Sequence, residues 1–412
     1  MIAYVRQLLR GRLTLSHKLA GKRIIAGWKR RLALTTDVDD YKYFPRSPSD
    51  GRVQILIVDG KVPTPDRDAG SARMMNIIRS LLGTYHVVFV SIGDETLPGY
   101  ESELREMGVD LVRGVDIFRI LRAGDFAAAI ISRPDIANAL VPTIRRRFPL
   151  VKIIFDPVDL HSVRYAREFE LTGEKSLAAR ASTYAQVEKR ITETVDLTWC
   201  ASSEDMRMLA EVAPAARAIV IPTIHTIGPE GKPFQDRRDL FFLGNMLHTP
   251  NFDSVRYLVE DILPRVWREL PGVNLLVAGG PINATLQAYE TDRVRILGFV
   301  PDINPYFAGC RLMVAPLRFG AGINGKIGES MANGLPVVTT TLAARSFGIV
   351  DGRHALVADD AASFATAIAK AYENGELWES LARNGRQLIA EGFAPGVIGT
   401  AITQSIEELL EN

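Results

Sequence analysis

Short, uniformly apolar runs alternate with segments of helical periodicity from Arg52 onward. Six runs lie in the first half of the chain, at residues 53–59, 87–92, 127–132, 151–156, 196–201 and 218–222. Six more follow at 239–244, 274–279, 294–299, 311–316, 335–340 and 354–358. Runs without an alternating polar face are typical of strands buried on both sides, and the segments between them are long enough for crossover helices. The pattern predicts two parallel α/β sheets in tandem.

The two series of strands define the predicted domains. Residues 225–238 combine glycines, prolines and charges without apolar periodicity, which is typical of a linker. We predict a Rossmann-like amino-terminal domain at 51–224, a Rossmann-like carboxyl-terminal domain at 239–395, and a terminal helix at 396–412 that packs back on the first domain. After Pro250, apolar residues at spacings of three and four predict one helix that reaches Leu270. Doubly wound sheets bind ligands beyond the carboxyl ends of their strands, so we expect the site in those loops, which face each other across a cleft.

Composition excludes several classes of protein. The 412 residues are 47% hydrophobic and 24% charged, as in ordinary globular domains. No apolar run approaches the roughly 18 residues of a membrane-spanning helix, and the amino terminus lacks the hydrophobic stretch of a secretory signal. Cys200 and Cys310 lie in or beside apolar runs, which disfavours a disulfide framework or a thiolate metal site. We therefore expect a cytoplasmic protein.

Positive charge is concentrated at the amino terminus, although the net charge is only +1. Residues 1–36 contain nine Lys or Arg and no Asp or Glu, and apolar positions there fall on one face of a helix. Residues 1–50 are thus predicted to be a basic amphipathic extension, with 1–36 in peripheral contact with the inner face of the cytoplasmic membrane. A flexible basic tail is the alternative. Because Tyr4 and Trp28 are the only Phe, Trp or Tyr residues in 1–36, the charges lack the aromatic interleaving typical of nucleic-acid binding, and nucleic acid is not an expected partner.

The most informative stretch is residues 316–340, where a strand leads into a Gly-rich loop and then a helix that begins near Asn324. Glycines let the backbone approach a ligand closely, and a helix amino terminus favours phosphate. Arg318 and Lys326 add positive charge, and Glu329 is placed to accept hydrogen bonds from a ribose diol. A Gly-rich turn with a solvent-facing Lys326–Glu329 pair is the alternative. The residues predicted to bind a nucleoside diphosphate are Arg318, Gly320, Gly322, Ile323, Asn324, Gly325, Lys326 and Glu329.

Three stretches carry a resemblance to a known family: 242–251 (FLGNMLHTPN), the Gly-rich run 320–338, and 351–359 (DGRHALVAD). On these motifs the chain resembles glycosyltransferase family 4, a family of retaining enzymes of the GT-B type. The resemblance extends from about Val53 to the carboxyl terminus. Segments 63–73 (PTPDRDAGSAR) and 156–164 (DPVDLHSVR) are similar to those of a subgroup found in surface-polysaccharide clusters.

The resemblance implies the GT-B fold and a reaction. A sugar would pass from a UDP-, GDP- or dTDP-linked donor to a glycan or a lipid-linked saccharide acceptor, with retention of configuration and with no bound cofactor and no metal. Glu329 matches the second glutamate of the family's E-x7-E motif, which holds the ribose. The first glutamate falls on Ala321; because that carboxylate contacts the transferred sugar in the family, its loss bears on sugar identity.

The resemblance also bears on the diphosphate. The Arg and Lys that usually follow the first strand of the family's donor domain are absent from residues 245–251, so we infer that Arg318 and Lys326 neutralise the diphosphate instead. Asn251 is expected to serve only the start of its helix. Further donor-side candidates in this loop are Gly244, Asn245 and His248.

Two groups in the first domain are candidates for phosphate, acceptor or catalytic roles. Gly70, Ser71 and Arg73 start the helix after the first strand and are placed to approach the donor phosphates or the acceptor. A surface arginine beside a helix cap is the alternative for Arg73. His161 and Asp159 follow the strand 151–156 and are the candidate catalytic pair, with His161 contacting sugar or acceptor hydroxyl and Asp159 accepting a proton or orienting the imidazole. A structural or surface histidine is the alternative.

Two other functions stay open at this stage. A catalytically silent GT-B subunit that binds nucleotide sugar or an active partner is kept open by Ala321. A GT-B epimerase or hydrolase acting on the nucleotide sugar alone requires an acid or base opposite the anomeric carbon, and the sequence identifies none.

Overall fold

The computed structural model describes residues 51–93, 98–113 and 117–411. The predicted basic extension at 1–50, and with it the membrane contact at 1–36, lies outside the described residues. Within the described part of the chain, no helix is both long enough and apolar enough to cross a membrane.

The chain divides into two compact units. Of the described residues, unit 1 holds those in 51–64, in 73–222 and from Gly399 onward, whereas unit 2 holds 65–72 and 223–398. The segment 225–238, predicted as a linker, groups with unit 2. One reason is Arg237, whose buried guanidinium Nη1 donates to the carbonyl oxygens of Phe307 at 2.7 Å and Cys310 at 3.1 Å. These hydrogen bonds tie the segment to the body of unit 2.

Unit 1 is built on a parallel sheet in the order β3-β2-β1-β4-β5-β6-β7. Its strands are β1 (Gln54–Asp59), β2 (His86–Ser91), β3 (Asp110–Arg113), β4 (Phe126–Ser132), β5 (Lys152–Asp156), β6 (Leu197–Cys200) and β7 (Ala218–Val220). β3 is absent from the predicted runs because its four residues begin and end with charge, and only Leu111 and Val112 are buried. The other six strands match the apolar runs of the first series.

Helices pack on this sheet, and the apolar residues of β1, β4 and β5 form one core with those of the helices at 117–123, 134–147 and 175–192. The helices are α1 (Ala69–Leu82), α2 (Pro98–Glu106), α3 (Ile117–Ala123), α4 (Pro134–Arg147), α5 (His161–Thr172), α6 (Lys175–Thr192) and α7 (Ser203–Val212). α1 buries Met74, Met75, Ile77, Ile78 and Leu81, the face that the spacing of its apolar residues predicts.

Unit 2 is built on a second parallel sheet, in the order β10-β9-β8-β11-β12-β13. Its strands are β8 (Arg238–Leu243), β9 (Leu275–Ala278), β10 (Val294–Gly298), β11 (Cys310–Ala315), β12 (Val337–Thr339) and β13 (Leu356–Val357). All six coincide with the apolar runs of the second series. The predicted fold class, two Rossmann-like doubly wound domains, is therefore confirmed.

The helix predicted between β8 and β9 contains an unforeseen irregularity. It consists of α8 (Thr249–Tyr257), a π-helical turn (Leu258–Ile262) and α9 (Leu263–Glu269). Pro264 explains the change, because proline has no N–H to donate and its ring displaces the carbonyl one turn earlier. The remaining helices of unit 2 are a 3-10 turn (Phe234–Asp236), α10 (Ala284–Gln287), α11 (Asn304–Gly309), α12 (Gly325–Ala332), α13 (Thr341–Phe347), α14 (Ala361–Glu373) and α15 (Gly375–Gly392). The last helix, α16 (Pro395–Glu411), belongs to unit 1 from Gly399 onward.

Candidate functional site

The Gly-rich loop lies where the strand order of the second sheet reverses. The neighbours β8 and β11 lead into loops 244–248 and 316–324, which flank this switch point, the usual ligand position of a doubly wound sheet. Gly320 has φ 143° and Gly322 has φ 72°, a region that favours glycine. The Ser346 hydroxyl donates to the Gly322 carbonyl at 3.0 Å and fixes the loop. The glycines thus shape a turn that other residues would strain.

The start of α12 combines close packing with an uncapped helix end. Asn324 occupies the N-cap position, and its side chain makes no capping hydrogen bond. A Cβ on Gly325 would lie 2.9 Å from the Cβ of Ala69, so the segment 65–72 packs directly against this end. Ile323, beside the cap, packs on the apolar core. Helix amides that no cap uses are the groups that bind phosphate in other proteins.

Lys326 is a cation without a paired carboxylate among the described residues. Its Nζ donates to the Asn251 Oδ1 and lies 4.4 Å from the centre of the Phe242 ring. Burial lowers the pKa of Lys326 to about 7. An anion placed here would restore the charge that burial disfavours. Asn251, expected to serve only the helix start, therefore also orients this lysine.

Arg318 is paired within unit 2. Its Nε donates to Asp253 Oδ2 at 2.9 Å and its Nη2 to Asp253 Oδ1 at 2.5 Å, while the guanidinium lies 4.4 Å from the centre of the Tyr257 ring. The hydrogen bond with Asp253 raises the pKa of Arg318. The sequence predicts equal roles towards an anion for Arg318 and Lys326. Within the described residues, Arg318 has a carboxylate partner and Lys326 has none.

Glu329 is held by a residue that the sequence prediction did not assign to the site. The Glu329 Oε2 lies 3.1 Å from Nδ1 of His225, and Nε2 of the same ring lies 2.9 Å from Thr223 Oγ1. His225 is buried, whereas 43% of the Glu329 side chain remains exposed. Sequence reasoning placed His225 in a linker; the signal that was available is Gly328, a glycine inside a predicted helix.

The loop after β8 is a network of amides. The Asn245 Nδ2 donates to the Arg67 carbonyl at 3.2 Å, and its Oδ1 accepts from the Leu247 amide at 2.9 Å. A Cβ on Gly244 would lie 2.8 Å from the side chain of Asn251, so that position requires glycine. His248 is exposed at the N-cap of α8 and makes no capping hydrogen bond. These predicted residues border the switch point together with Lys326.

In the predicted phosphate loop at the start of α1, the hydrogen-bond donors of Ser71 are engaged by an N-cap within the loop itself. The Ser71 amide and hydroxyl donate to the two Asp68 carboxylate oxygens at 2.8 and 2.9 Å. Asp68 is thus the N-cap of α1. Gly70, half-buried, lies between the cap and Ser71 in the segment that groups with unit 2.

Arg73 differs from both of its predicted roles. It is buried, and its Nη1 donates to both Asp156 carboxylate oxygens at 2.8 Å. Its Nε and Nη2 donate to the Ile221 carbonyl at 3.0 and 2.8 Å. The guanidinium therefore neutralises a buried carboxylate, and the structure supports neither the predicted anion contact nor a surface position.

The predicted catalytic pair lies in one turn after β5. His161 Nε2 is 3.4 Å from Asp159 Oδ1, and Arg164 Nη1 donates to Asp159 Oδ2 at 2.5 Å. The imidazole packs edge-on against Tyr184, with ring centres 4.8 Å apart. Its Nδ1 is buried without a hydrogen-bond partner among the described residues. Asp159 is thus charge-paired by Arg164 and lies beside the ring rather than standing free.

Glu188 of α6 fixes this turn, and the sequence prediction did not include it. Its Oε1 accepts the His161 amide at 2.7 Å, and its Oε2 accepts the Ser162 hydroxyl. Burial raises the pKa of Glu188 to about 7. The carboxylate caps the start of α5 from a neighbouring helix, a role that depends on distance in space rather than in sequence.

Backbone strain is also found at this edge of the first sheet. Arg133, after β4, has φ 71° and Val158, after β5, has φ 67°. Both are joined to Asp156: its carbonyl accepts the Arg133 amide at 2.8 Å and its Oδ1 accepts the Val158 amide at 3.2 Å. Strained backbone of this kind clusters at functional sites, and the buried Asp156 holds it in place.

No group of three or more His, Cys, Asp or Glu side chains in the described ranges is arranged to hold a metal ion. The absence of a metal requirement stays a prediction, and chelation tests it.

Comparison with known proteins adds a match to a family model, two curated relatives and a shared fold. Residues 237–374 match a family model described as "Glycosyl transferases group 1". An "Uncharacterized 44.6 kDa protein in cps region" of Klebsiella pneumoniae is 24% identical over 188 residues, 42% of this chain and 47% of that protein. The "Lipopolysaccharide core biosynthesis glycosyltransferase LpsE" of Rhizobium meliloti (strain 1021) is 26% identical over 217 residues, 51% of this chain and 59% of that protein. The chain thus aligns with about half of each curated relative.

Solved structures share the architecture over most of the chain. The sucrose-phosphate synthase of Thermosynechococcus elongatus has a TM-score of 0.69 at 17% identity, covering 87% of this chain and 100% of that one. HepE of Anabaena, in complex with UDP-glucose, has a TM-score of 0.67 at 14% identity with the same coverage. At this identity the likeness concerns the fold. The group 1 match in unit 2, taken with this shared two-domain fold, supports a glycosyltransferase of the GT-B type.

Proposed function

We propose that this protein is a retaining glycosyltransferase that moves a sugar from a nucleotide-sugar donor to a glycan or lipid-linked saccharide in cell-surface polysaccharide biosynthesis. Similarity to a lipopolysaccharide core glycosyltransferase and to a protein of a cps region supports the surface-polysaccharide role. The UDP-glucose complex of HepE supports a nucleotide-sugar donor. Membership in family 4, inferred from the stretches 242–251, 320–338 and 351–359, is part of the proposal.

One observation carries the proposal: an uncompensated lysine and a positioned carboxylate lie one helical turn apart at the switch point of the second sheet. Lys326 and the uncapped amides of α12 offer positive charge to a diphosphate. Glu329, three residues further on, offers carboxylate oxygen to a ribose diol. The two groups match the two ends of a nucleoside diphosphate.

The leaving group determines where charge is needed. As the glycosidic bond breaks, the nucleoside diphosphate gains negative charge, and fixed cations in a dry site stabilise it by several kcal/mol. Because Arg318 is paired with Asp253, its effect on the diphosphate is screened, and we assign the main role to Lys326. Asn251 accepts a hydrogen bond from the Nζ of Lys326 and so acts on the diphosphate only by orienting that lysine.

In unit 1 we assign the acceptor side to His161 and Asp159. Asp159, paired with Arg164, orients the imidazole of His161, which contacts the sugar or the acceptor hydroxyl. In the resembled family, retaining transfer is generally described as front-face attack, in which the leaving phosphate takes the acceptor proton and no protein carboxylate acts as the nucleophile. The pairing of Asp159 agrees with that assignment, because its Oδ2 already accepts a hydrogen bond from Arg164.

A catalytically silent nucleotide-sugar-binding subunit is the second candidate, and Ala321 favours it. That residue replaces the glutamate which, in the resembled family, contacts the transferred sugar. The two candidates differ in turnover: both bind donor, and only the transferase consumes it.

The test is binding and slow hydrolysis of UDP-, GDP- and dTDP-sugars by the wild type, Glu329→Ala and Lys326→Ala, with and without chelator. Lys370→Ala, an exposed lysine of α14, is the matched control. We expect saturable binding and turnover, both weakened by the two site variants, unchanged in the control and insensitive to chelator. The anomeric configuration of the product, read by NMR, tests retention. Binding without turnover in the presence of acceptor extracts favours the silent subunit, and no binding of any donor rejects both.

We also propose that residues 1–36 hold the protein at the inner face of the cytoplasmic membrane, and this proposal has a separate test. The nine basic residues in 1–36 are expected to bind anionic vesicles through headgroup charge, weakening as salt rises. Co-sedimentation with phosphatidylglycerol vesicles, compared for the full chain and a chain lacking residues 1–36, measures this. Equal sedimentation of the two chains would contradict it.

A further inference from the structure

His225 and Gly328 fit together as one structural feature. A Cβ on Gly328 would lie 2.3 Å from Nε2 of His225 and 2.6 Å from its Cδ2, so no side chain fits at 328 while the ring occupies this position. Gly328 is buried in the middle of α12. Glycine inside a helix costs about 1 kcal/mol relative to alanine. The chain therefore keeps an unfavourable helix residue that makes room for the imidazole.

The imidazole is fixed on several sides within unit 2. The backbone N–H of His225 donates to the Phe393 carbonyl at 2.9 Å. The Phe347 ring packs against the imidazole, with the two ring centres 6.3 Å apart. Nε2 lies 2.9 Å from the Thr223 hydroxyl and Nδ1 lies 3.1 Å from Glu329 Oε2. A carboxylate oxygen only accepts, so Nδ1–H is the donor to Glu329, and in the neutral ring Nε2 accepts from Thr223.

The contact leaves the second carboxylate oxygen of Glu329 for another donor. No hydrogen bond to Oε1 is found among the described residues, and the side chain is 43% exposed. A glutamate on a helix surface has several rotamers, and holding one of them in advance reduces the entropy lost when a ligand binds. One oxygen is used to fix the rotamer, and the other is presented outward.

We propose that His225 is the positioning residue of the donor site: its Nδ1–H holds Glu329 in the rotamer that accepts hydrogen bonds from the ribose hydroxyls of the nucleotide. This inference rests on the proposed function, because it takes the ligand of Glu329 to be a nucleotide ribose. Gly328 is the structural condition for it, since any larger residue displaces the ring.

The decisive measurement is ribose discrimination rather than affinity. Dissociation constants are measured for UDP, GDP and dTDP, each compared with its 3′-deoxy analogue, and for UDP and GDP also with the 2′-deoxy analogue. A hydrogen bond to a charged acceptor predicts about tenfold or greater preference of the wild type for the nucleotide with the hydroxyl. His225→Phe keeps ring volume without the N–H, and we expect its preference to fall to about onefold while binding of the deoxy analogue changes less than about twofold.

Three further variants separate positioning from general structural damage. His225→Asn places an amide N–H near the former Nδ1 and is expected to retain most of the preference. Glu329→Ala is expected to lose the preference, and combining it with His225→Phe is expected to cause no further loss. Gly328→Ala, which displaces the ring without changing it, is expected to lose the preference and serves as the test if His225→Phe does not fold.

The outcomes distinguish this inference from the proposed function. If the wild type binds none of the three nucleotides, the proposed function fails. If it binds and discriminates, and His225→Phe discriminates equally, the inference is overturned while the function stands. Equal loss of affinity for hydroxylated and deoxy nucleotides in His225→Phe also overturns it, because that result reports a structural role only.

Discussion

Donor affinity is expected to fall as pH rises above neutrality, and the cause lies in Lys326. Its ammonium lies over the Phe242 ring and donates to Asn251, with no carboxylate partner among the described residues. Burial lowers the pKa of Lys326 to about 7 in the ligand-free protein. A bound diphosphate stabilises the ammonium form and raises this pKa again. Binding above pH 7 must therefore take up a proton.

The size of the effect follows from that pKa. With a value of about 7, the protonated fraction of Lys326 is about 0.9 at pH 6 and about 0.1 at pH 8. If only the ammonium form binds the diphosphate, the apparent dissociation constant rises about tenfold between these pH values, which is about 1.4 kcal/mol. At pH 8 each binding event takes up about 0.9 proton.

The assay uses a UDP-sugar rather than UDP, because a terminal phosphate titrates near pH 6 and would add its own pH dependence. Calorimetry in buffers of different ionisation enthalpy gives the dissociation constant and the proton uptake together. Lys326→Arg stays charged throughout this range, so its affinity is expected to be flat with pH. The affinity of Lys326→Met for the UDP-sugar is expected not to change with pH, and to be lower than that of the wild type at pH 6.

Two results would refute this reasoning. A wild-type affinity that does not change between pH 6 and 8, with no proton uptake, would show that Lys326 remains charged in the free protein. A dependence that persists in Lys326→Arg would show that another group titrates.

Three further predictions concern unit 1. Arg73→Met leaves the buried Asp156 carboxylate unpaired and is expected to lower the free energy of unfolding by about 3 to 5 kcal/mol in urea titration; a loss below 1 kcal/mol would contradict a stabilising role for the pair. Burial raises the pKa of Glu188 from 4.5 to about 7, so its contribution to stability is full below pH 4.5 and is lost as the pH rises through 7. Between pH 5 and 8 the free energy of unfolding of the wild type should fall by about 2 to 3 kcal/mol more than that of Glu188→Gln. Parallel curves of unfolding free energy against pH would refute this. Val158→Asn relieves a β-branched residue at φ 67° and is expected to raise thermal stability by about 1 kcal/mol, whereas a loss of that size would mean that the Val158 side chain stabilises the turn.

The fold was largely predictable because buried parallel strands leave a strong local signal. Twelve of the thirteen strands coincide with uniformly apolar runs, and β3 was missed since its charged ends interrupt its short apolar core. The π-helical turn before α9 was missed for a different reason: Pro264 shows where a helix is disturbed but not whether the helix ends or continues.

The candidate site was predictable as a set of loops but not as a set of partners. The sequence indicates that Gly320, Lys326 and Glu329 share one loop and helix, because they are close in the chain. It does not indicate that Asn251 accepts from Lys326, 75 residues away, or that His225 meets Glu329 across 104 residues. Such contacts depend on how the strands are ordered in the sheet. From residue type alone, Arg318 and Lys326 are predicted to be equally available to an anion, whereas in the fold Arg318 is paired with Asp253.

The carboxyl ends of the strands in the first and second sheets differ in how their charged side chains are paired. This difference bears on which ligand each end binds. At the edge of the first sheet the acidic side chains are paired within the unit: Asp59 with Arg133 at 2.6 Å, and Asp159 with Arg164 at 2.5 Å. At the switch point of the second sheet, Lys326 is instead desolvated and unpaired by the described residues. A diphosphate requires an uncompensated cation, whereas neutral sugar hydroxyls require fixed, charge-balanced hydrogen-bonding groups. The distribution of charge therefore supports, independently of any sequence motif, the proposal that unit 2 binds the nucleotide and unit 1 the acceptor.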